Sequence, residues 1–130
     1  MIRFDVLRER NILVVTPDGP LEIRDFENFE KEIDPLIASN GRLVGLLIHA
    51  KAFPGWRSFG AFASHIRFVV DHHRQIERIA VATNSKFLRV LPPIAGYLVH
   101  PKIKNFSFEE KDQALAWLKR LDERPTAVFG

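Results

Sequence analysis

The chain opens on an alternation of apolar and polar positions, Ile2-Arg3-Phe4-Asp5-Val6-Leu7. After Glu9-Arg10-Asn11 it continues into a nearly unbroken apolar run, Ile12-Leu13-Val14-Val15-Thr16. Period-two alternation marks a strand with one face buried, and the short polar interval between the runs predicts an antiparallel hairpin. Pro17-Asp18-Gly19-Pro20 ends the second strand. From Arg24 to Ser39 the residues Phe26, Phe29, Ile33, Leu36 and Ile37 recur at steps of three and four, which predicts an amphipathic helix stopped by Asn40-Gly41. Pro35 falls inside it, removes one amide donor and favours a kink. Leu43-Val44-Gly45-Leu46-Leu47-Ile48 is apolar on both faces, as a central parallel strand requires. A helix over 59–73, a buried strand at Ile79-Ala80-Val81-Ala82 and an apolar helix over 87–99 interrupted by Pro92-Pro93 follow. A short basic edge strand at Lys102-Ile103-Lys104-Asn105-Phe106 and a last helix over 109–121 complete the chain. A hairpin followed by helix-strand alternation predicts an α/β fold in one domain, a mixed sheet of about five strands with about four helices, its core at about 2–121 and a tail at 122–130.

The helix at 59–73 is apolar on two sides. Phe59, Phe62, Ala63, Ile66, Val69 and Val70 form a stripe expected to face the core, and Ala61, His65, Phe68 and His72 form a second on nearly the opposite side. A surface helix needs one apolar face, so the second should cover a ligand cavity, a neighbouring subunit or a membrane surface. The stretch from Phe87 to Val99 has a similar apolar excess, framed by Lys86, Arg89, Lys102 and Lys104, and its prolines and Gly96 suit a movable flap rather than one regular helix.

Composition narrows the chemistry. The 130 residues contain no cysteine, which removes disulfides, thiolate metal sites and cysteine nucleophiles and fits a reducing, cytoplasmic setting. Charged residues appear within the first five positions and no uncharged apolar run approaches membrane-spanning length, so neither secretion nor a transmembrane helix is expected. The net charge of +3 is uneven: residues 51–105 hold nine basic and two acidic side chains, whereas residues 1–50 hold six and nine. A basic middle segment points to an anionic partner. Nucleic acid is not expected, because no stacking platform or recognition helix is visible.

Several motifs resolve into nothing catalytic. Gly55 and Gly60 have phosphate-loop spacing, but Ala61-Phe62 stands where lysine and serine or threonine are needed. His65 and His72 share a helix face but lie about 10 Å apart, and His72 and His73 diverge by about 100°, so one ion cannot join them without ligands from outside that helix. Asp18 and His49 fall at the carboxyl ends of strands, where an α/β crevice forms, but their spacing carries no recognisable mechanism. No catalytic residue, metal or cofactor is expected.

The ordered features that remain are Phe53-Pro54-Gly55-Trp56, the Phe- and His-rich helix, Arg78-Ile79-Ala80-Val81-Ala82 and Ala114-Leu115-Ala116-Trp117-Leu118, following a hairpin, an amphipathic helix and an apolar strand. Over about residues 2–121 the chain resembles the SpoIIAA-like group of small bacterial STAS-related proteins. That resemblance implies the SpoIIAA-like fold, similarity to CRAL-TRIO proteins that hold apolar lipids, ligand binding, and membrane association through a lid that opens. Anti-sigma-factor antagonists of this fold carry Asp-x-Ser-Gly after the central strand; here the region reads His49-Ala50-Lys51-Ala52-Phe53-Pro54-Gly55-Trp56-Arg57-Ser58, so Ser58 is a helix N-cap rather than a phosphoswitch. The expected function is a non-enzymatic module for an apolar or amphipathic small molecule, with Trp56, Phe59, Phe62, Phe68, Leu91 and Tyr97 as pocket or lid residues. Arg57, Arg67, Arg74, Lys86 and Arg89 are the candidates for contact with anionic headgroups. The competing expectation is a STAS-type interaction module that forms a homodimer through Phe68 and the flap.

Overall fold

The computed structural model describes residues 1–85 and 100–122. The expected helix and flap over 87–99, with Leu91, Tyr97, Lys86 and Arg89, and the tail after 122 lie outside the described residues. The elements run β1 (Ile2–Leu7), β2 (Ile12–Pro17), α1 (Ile23–Asn40), β3 (Leu43–Ala50), α2 (Phe59–His72), β4 (Ile76–Thr83), β5 (Lys102–Phe106) and α3 (Lys111–Asp122).

One five-stranded sheet has the order β1-β2-β3-β4-β5, the same as the chain order. β1 pairs antiparallel with β2, and the other three pairs are parallel. The hairpin closes through a single 3-10 turn and Asn11, which takes the left-handed conformation (φ 56°) that asparagine tolerates better than most residues. Its carbonyl accepts the amides of Val44 and Gly45 and its side chain donates to the Arg42 carbonyl, so the same residue ties the hairpin to the start of β3.

Right-handed crossovers that step in one direction place their helices on the same face of a sheet. α1 and α2 accordingly share one face and enclose Leu13, Val15, Phe26, Phe29, Ile33, Leu43, Leu46 and Phe68. α3 lies on the other face, where Ala114 and Leu118 meet Ile12, Val14, Leu47, Ala80 and Ala82. Gly45 permits that contact: a Cβ there would stand 3.0 Å from Leu118 Cδ2 and 3.3 Å from Ile12 Cγ1. α1 runs through Pro35, which is exposed, so the amide it removes leaves the helix ladder incomplete on the solvent side.

The sidedness expected for α2 is reversed. Ala61, Phe68 and His72 are buried, whereas Phe59 is 81% exposed, Val70 64%, Ile66 49% and Phe62 36%. Ring shape decides this against residue number. Phe68 fits between Phe29 (centroids 4.2 Å apart) and Phe26 (6.3 Å), and the small Ala61 sits fully buried a turn or two earlier. His72 can be buried and His65 half-buried on that side because a ring nitrogen of each has a partner, Trp56 for His65 and the Phe68 carbonyl for His72. The larger apolar stripe is therefore the outer one.

Candidate ligand site at the carboxyl ends of the strands

A cavity of about 100 Å³ opens between the ends of β2 and β3, the first turns of α1 and the loop that leads into α2. Its walls are Val15, Pro17, Leu21, Phe26, Phe29, Ile48, Ala50, Phe53 and Pro54, with Ile2 at the edge and His65 as the one ionisable side chain. This is the carboxyl end of the parallel strands, where open α/β sheets place their ligands.

The loop is held in shape by backbone bonds. Leu21 donates its amide to the Gly55 carbonyl (2.8 Å) and Arg57 donates to the Leu21 carbonyl (2.8 Å), pinning the loop to the segment before α1. Gly55 has φ 82°, a conformation that a residue with a Cβ adopts at a cost of about 1 kcal/mol. The turn it makes delivers Trp56 onto α2. There Ser58 starts the helix, its Oγ accepting the Ala61 amide (3.1 Å), as its N-cap role requires.

Trp56 Nε1–H donates to His65 Nδ1 at 3.1 Å. An indole nitrogen can only donate, so Nδ1 is the acceptor and the neutral imidazole carries its proton on Nε2. The ring stacks on Phe26 at 5.0 Å, and burial pushes its pKa below the ordinary 6.5. An otherwise apolar cavity thus has in its wall a neutral imidazole with a fixed tautomer and one N–H donor.

Stability should follow the same proton. The unfolded chain binds a proton at His65 near pH 6.5, and the folded ring resists it, so stability falls as pH drops below about 6.5. In urea titrations between pH 7.5 and pH 5, His65→Gln is expected to lose less stability on acidification than the wild type. Equal losses would remove His65 as a source.

The expected site residues divide into groups. Trp56, Phe59 and Phe62 come together as a row of rings, with Trp56–Phe62 centroids 4.8 Å apart and Phe59–Phe62 6.0 Å apart. They stand beside the cavity on its outer side, and Phe53, 4.8 Å from Trp56, links the row to the cavity wall. Phe68 is core and unavailable as an accessible lid or dimer contact, which corrects its expected role; its ring is stacked between α1 and His72. Arg57, Arg67 and Arg74 are exposed on or next to α2. His49 and Asn84, at the strand ends, are committed to the segment before α3. His49 Nε2–H donates to the Phe108 carbonyl (2.9 Å) with the two rings stacked at 4.1 Å, and Asn84 accepts the Phe108 amide and donates to Glu109. Sequence reasoning missed Phe26 and Phe53 as cavity residues, because they come from separate elements, and had His65 only as one member of a stripe expected to cover a cavity, a subunit or a membrane; Phe53-Pro54-Gly55-Trp56 signalled the loop.

The mixed sheet with helices α1 and α2 over one face, α3 over the other and an apolar recess at the carboxyl ends of its parallel strands defines a small α/β domain. The family model described as SpoIIAA-like matches residues 12–119, and the chain belongs to that family. Among solved structures it is similar to an uncharacterised protein of the DUF3478 family with a SpoIIAA-like fold from Shewanella loihica PV-4. The TM-score is 0.70 at 20% identity, over 91% of this chain and 92% of that one, a likeness of fold. A search of curated proteins finds no match. Among the described residues no helix is long and apolar enough to cross a membrane.

Proposed function

We propose that the chain is a non-enzymatic binding module for a small apolar or amphipathic molecule. The observation that carries this reading is the apolar recess with one neutral, oriented imidazole in its wall. At about 100 Å³ it is well below the roughly 300–1,000 Å³ of a cleft that encloses a drug-sized ligand. It therefore suits the apolar end of a longer molecule, such as an acyl or aryl group with a carbonyl oxygen for His65 Nε2–H, while the rest emerges past the Trp56 loop. The commitment of His49 and Asn84 to hydrogen bonds with the segment before α3 argues against acid-base chemistry at the strand ends.

Trp56 reports on the site. It is one of two tryptophans, so in a Trp117→Phe background its emission isolates the loop. Titration with medium-chain fatty acids should shift that emission saturably, and Ile48→Trp or Ala50→Phe should abolish the shift by filling the recess. No shift, together with no co-purified small molecule in native mass spectrometry, would sink the reading.

A second observation favours peripheral contact with an anionic membrane by the same domain. Phe59, Phe62, Ile66 and Val70 form a continuous exposed apolar stripe on α2, with exposed Arg57, Arg67 and Arg74 around it. Apolar side chains with a basic rim are what the interfacial zone of an acidic bilayer attracts, at about 1 kcal/mol per basic residue. Co-sedimentation with acidic vesicles is expected to weaken as salt rises and to be lost in Phe59→Ser with Ile66→Ser. A wild type that ignores acidic vesicles and sediments as a dimer would assign the stripe to self-association instead.

A further inference from the structure

His72 closes α2 with its ring buried and stacked on Phe68 at 4.2 Å. Its Nδ1 lies 2.8 Å from the Phe68 carbonyl oxygen, one turn earlier. A carbonyl only accepts, so Nδ1 holds the proton, and in the neutral ring Nε2 presents a lone pair. In front of that lone pair, at 2.9 Å, is Asp34 Oδ1 of α1, another acceptor. Two acceptors at this separation require something between them, either a shared proton or a metal ion.

Glu30 separates these alternatives. It precedes Asp34 by one turn on α1, and one donor atom from each of Glu30, Asp34 and His72 lies within 4.8 Å of the others. A ring proton serves Asp34 alone and gives the exposed Glu30 no part in the contact; among the described residues neither Glu30 nor Asp34 pairs with a lysine or arginine. A divalent ion with a neutral imidazole neutralises both. Metal–ligand bonds of about 2.0–2.2 Å place adjacent ligand atoms about 3 Å apart, close to the spacing His72 and Asp34 already have. A histidine that donates its other ring N–H to a backbone carbonyl is also the usual form of a metal ligand, because that bond fixes tautomer and orientation.

We infer that Glu30, Asp34 and His72 form a site for a divalent transition-metal ion at the seam between α1 and α2, with the Phe68 carbonyl orienting the imidazole. One nitrogen and two carboxylate oxygens suit Zn²⁺, Mn²⁺ or Fe²⁺ better than Ca²⁺ or Mg²⁺, which prefer all-oxygen sets. Asp34 is 58% exposed, so water completes the coordination shell. The seam site and the apolar recess are separate, and neither inference rests on the other.

Cobalt(II) is the probe. Titrated into the full chain in chelator-treated buffer, it should produce saturable visible absorption at one equivalent, and zinc should displace it. Asp34→Asn and Glu30→Gln change side chains on the solvent side of α1 and leave the packing of His72 intact, so both should keep the native circular dichroism spectrum. Each should weaken cobalt binding by at least about tenfold, the least that loss of a supporting group at a metal site brings. Glu32→Gln, on the same helix outside the cluster, should bind as the wild type does. Saturating zinc should raise Tm in the wild type and not in Glu30→Gln. Absent or non-saturable cobalt absorption would overturn the inference, as would unchanged affinity in either Asp34→Asn or Glu30→Gln. The contact would then be an ion pair that shares a proton.

Discussion

Phe68→Asp is expected to unfold the chain, while Phe59→Asp, nine residues earlier on the same helix, leaves its stability almost unchanged. Phe68 is 6% exposed, with its ring against Phe29 and Phe26 on one side and His72 on the other. Removing such a ring costs about 3–5 kcal/mol through lost transfer energy and the cavity left behind, which Phe68→Ala would measure alone. Aspartate adds the desolvation of a buried charge, worth several kcal/mol more. A domain of this size is stable by about 5–15 kcal/mol, so the sum removes most or all of it. Phe59 is 81% exposed, and a surface substitution of that kind stays within about 0.5 kcal/mol. Urea unfolding followed by circular dichroism separates the two. A folded Phe68→Asp protein with native-like cooperativity would show that α2 buries its other face.

The second large effect lies on the opposite side of the sheet. Gly45 is in the middle of β3, and a Cβ there would approach Leu118 Cδ2 and Cβ at 3.0 and 3.1 Å and Ile12 Cγ1 at 3.3 Å. Leu118 and Ile12 are fully buried, so neither can swing aside. Overpacking of this kind costs about 1–3 kcal/mol. Gly45→Ala should fall at the low end, and Gly45→Val, with two further methyl groups between strand and helix, at or beyond the high end. The pair Gly45→Ala with Leu118→Ala should lose less stability than the two single losses combined, because the new methyl enters the space the leucine vacates. Strict additivity in thermal unfolding would mean that α3 does not rest on this glycine.

The strands were legible because their pattern is dictated locally. Alternation in Ile2–Leu7 and a two-sided apolar run at Leu43–Ile48 allow one reading each, and the polar turn before Ile12 marked the hairpin. β4 begins at Ile76 rather than Ile79, because β3 pairs with it from Ile76 and β5 from Arg78, so the ladder takes in the polar Glu77 and Arg78. α2 was legible as a helix but not in its orientation. Two apolar stripes compete there, and the smaller wins through contacts with Phe26, Phe29 and Trp56, which lie at least nine residues away in sequence. The same distance hid the chemistry. His65 and His72 looked like two unconnected histidines until their partners Trp56 and Asp34 arrived from another segment.

The open ends of the sheet carry a consequence for behaviour at high protein concentration. Among the described residues β1 and β5 are the two outermost strands, and each has an edge of backbone donors and acceptors without a described strand beside it, which could recruit a strand from another molecule. Arg3 and Asp5 stand exposed on β1, Lys102 and Lys104 on β5. A second copy that added to β5 edge to edge would bring the exposed lysines of both copies close together, and β5 is only five residues long. At the β5 end, charge and shortness therefore work against strand-to-strand growth even though one helix keeps an exposed apolar stripe.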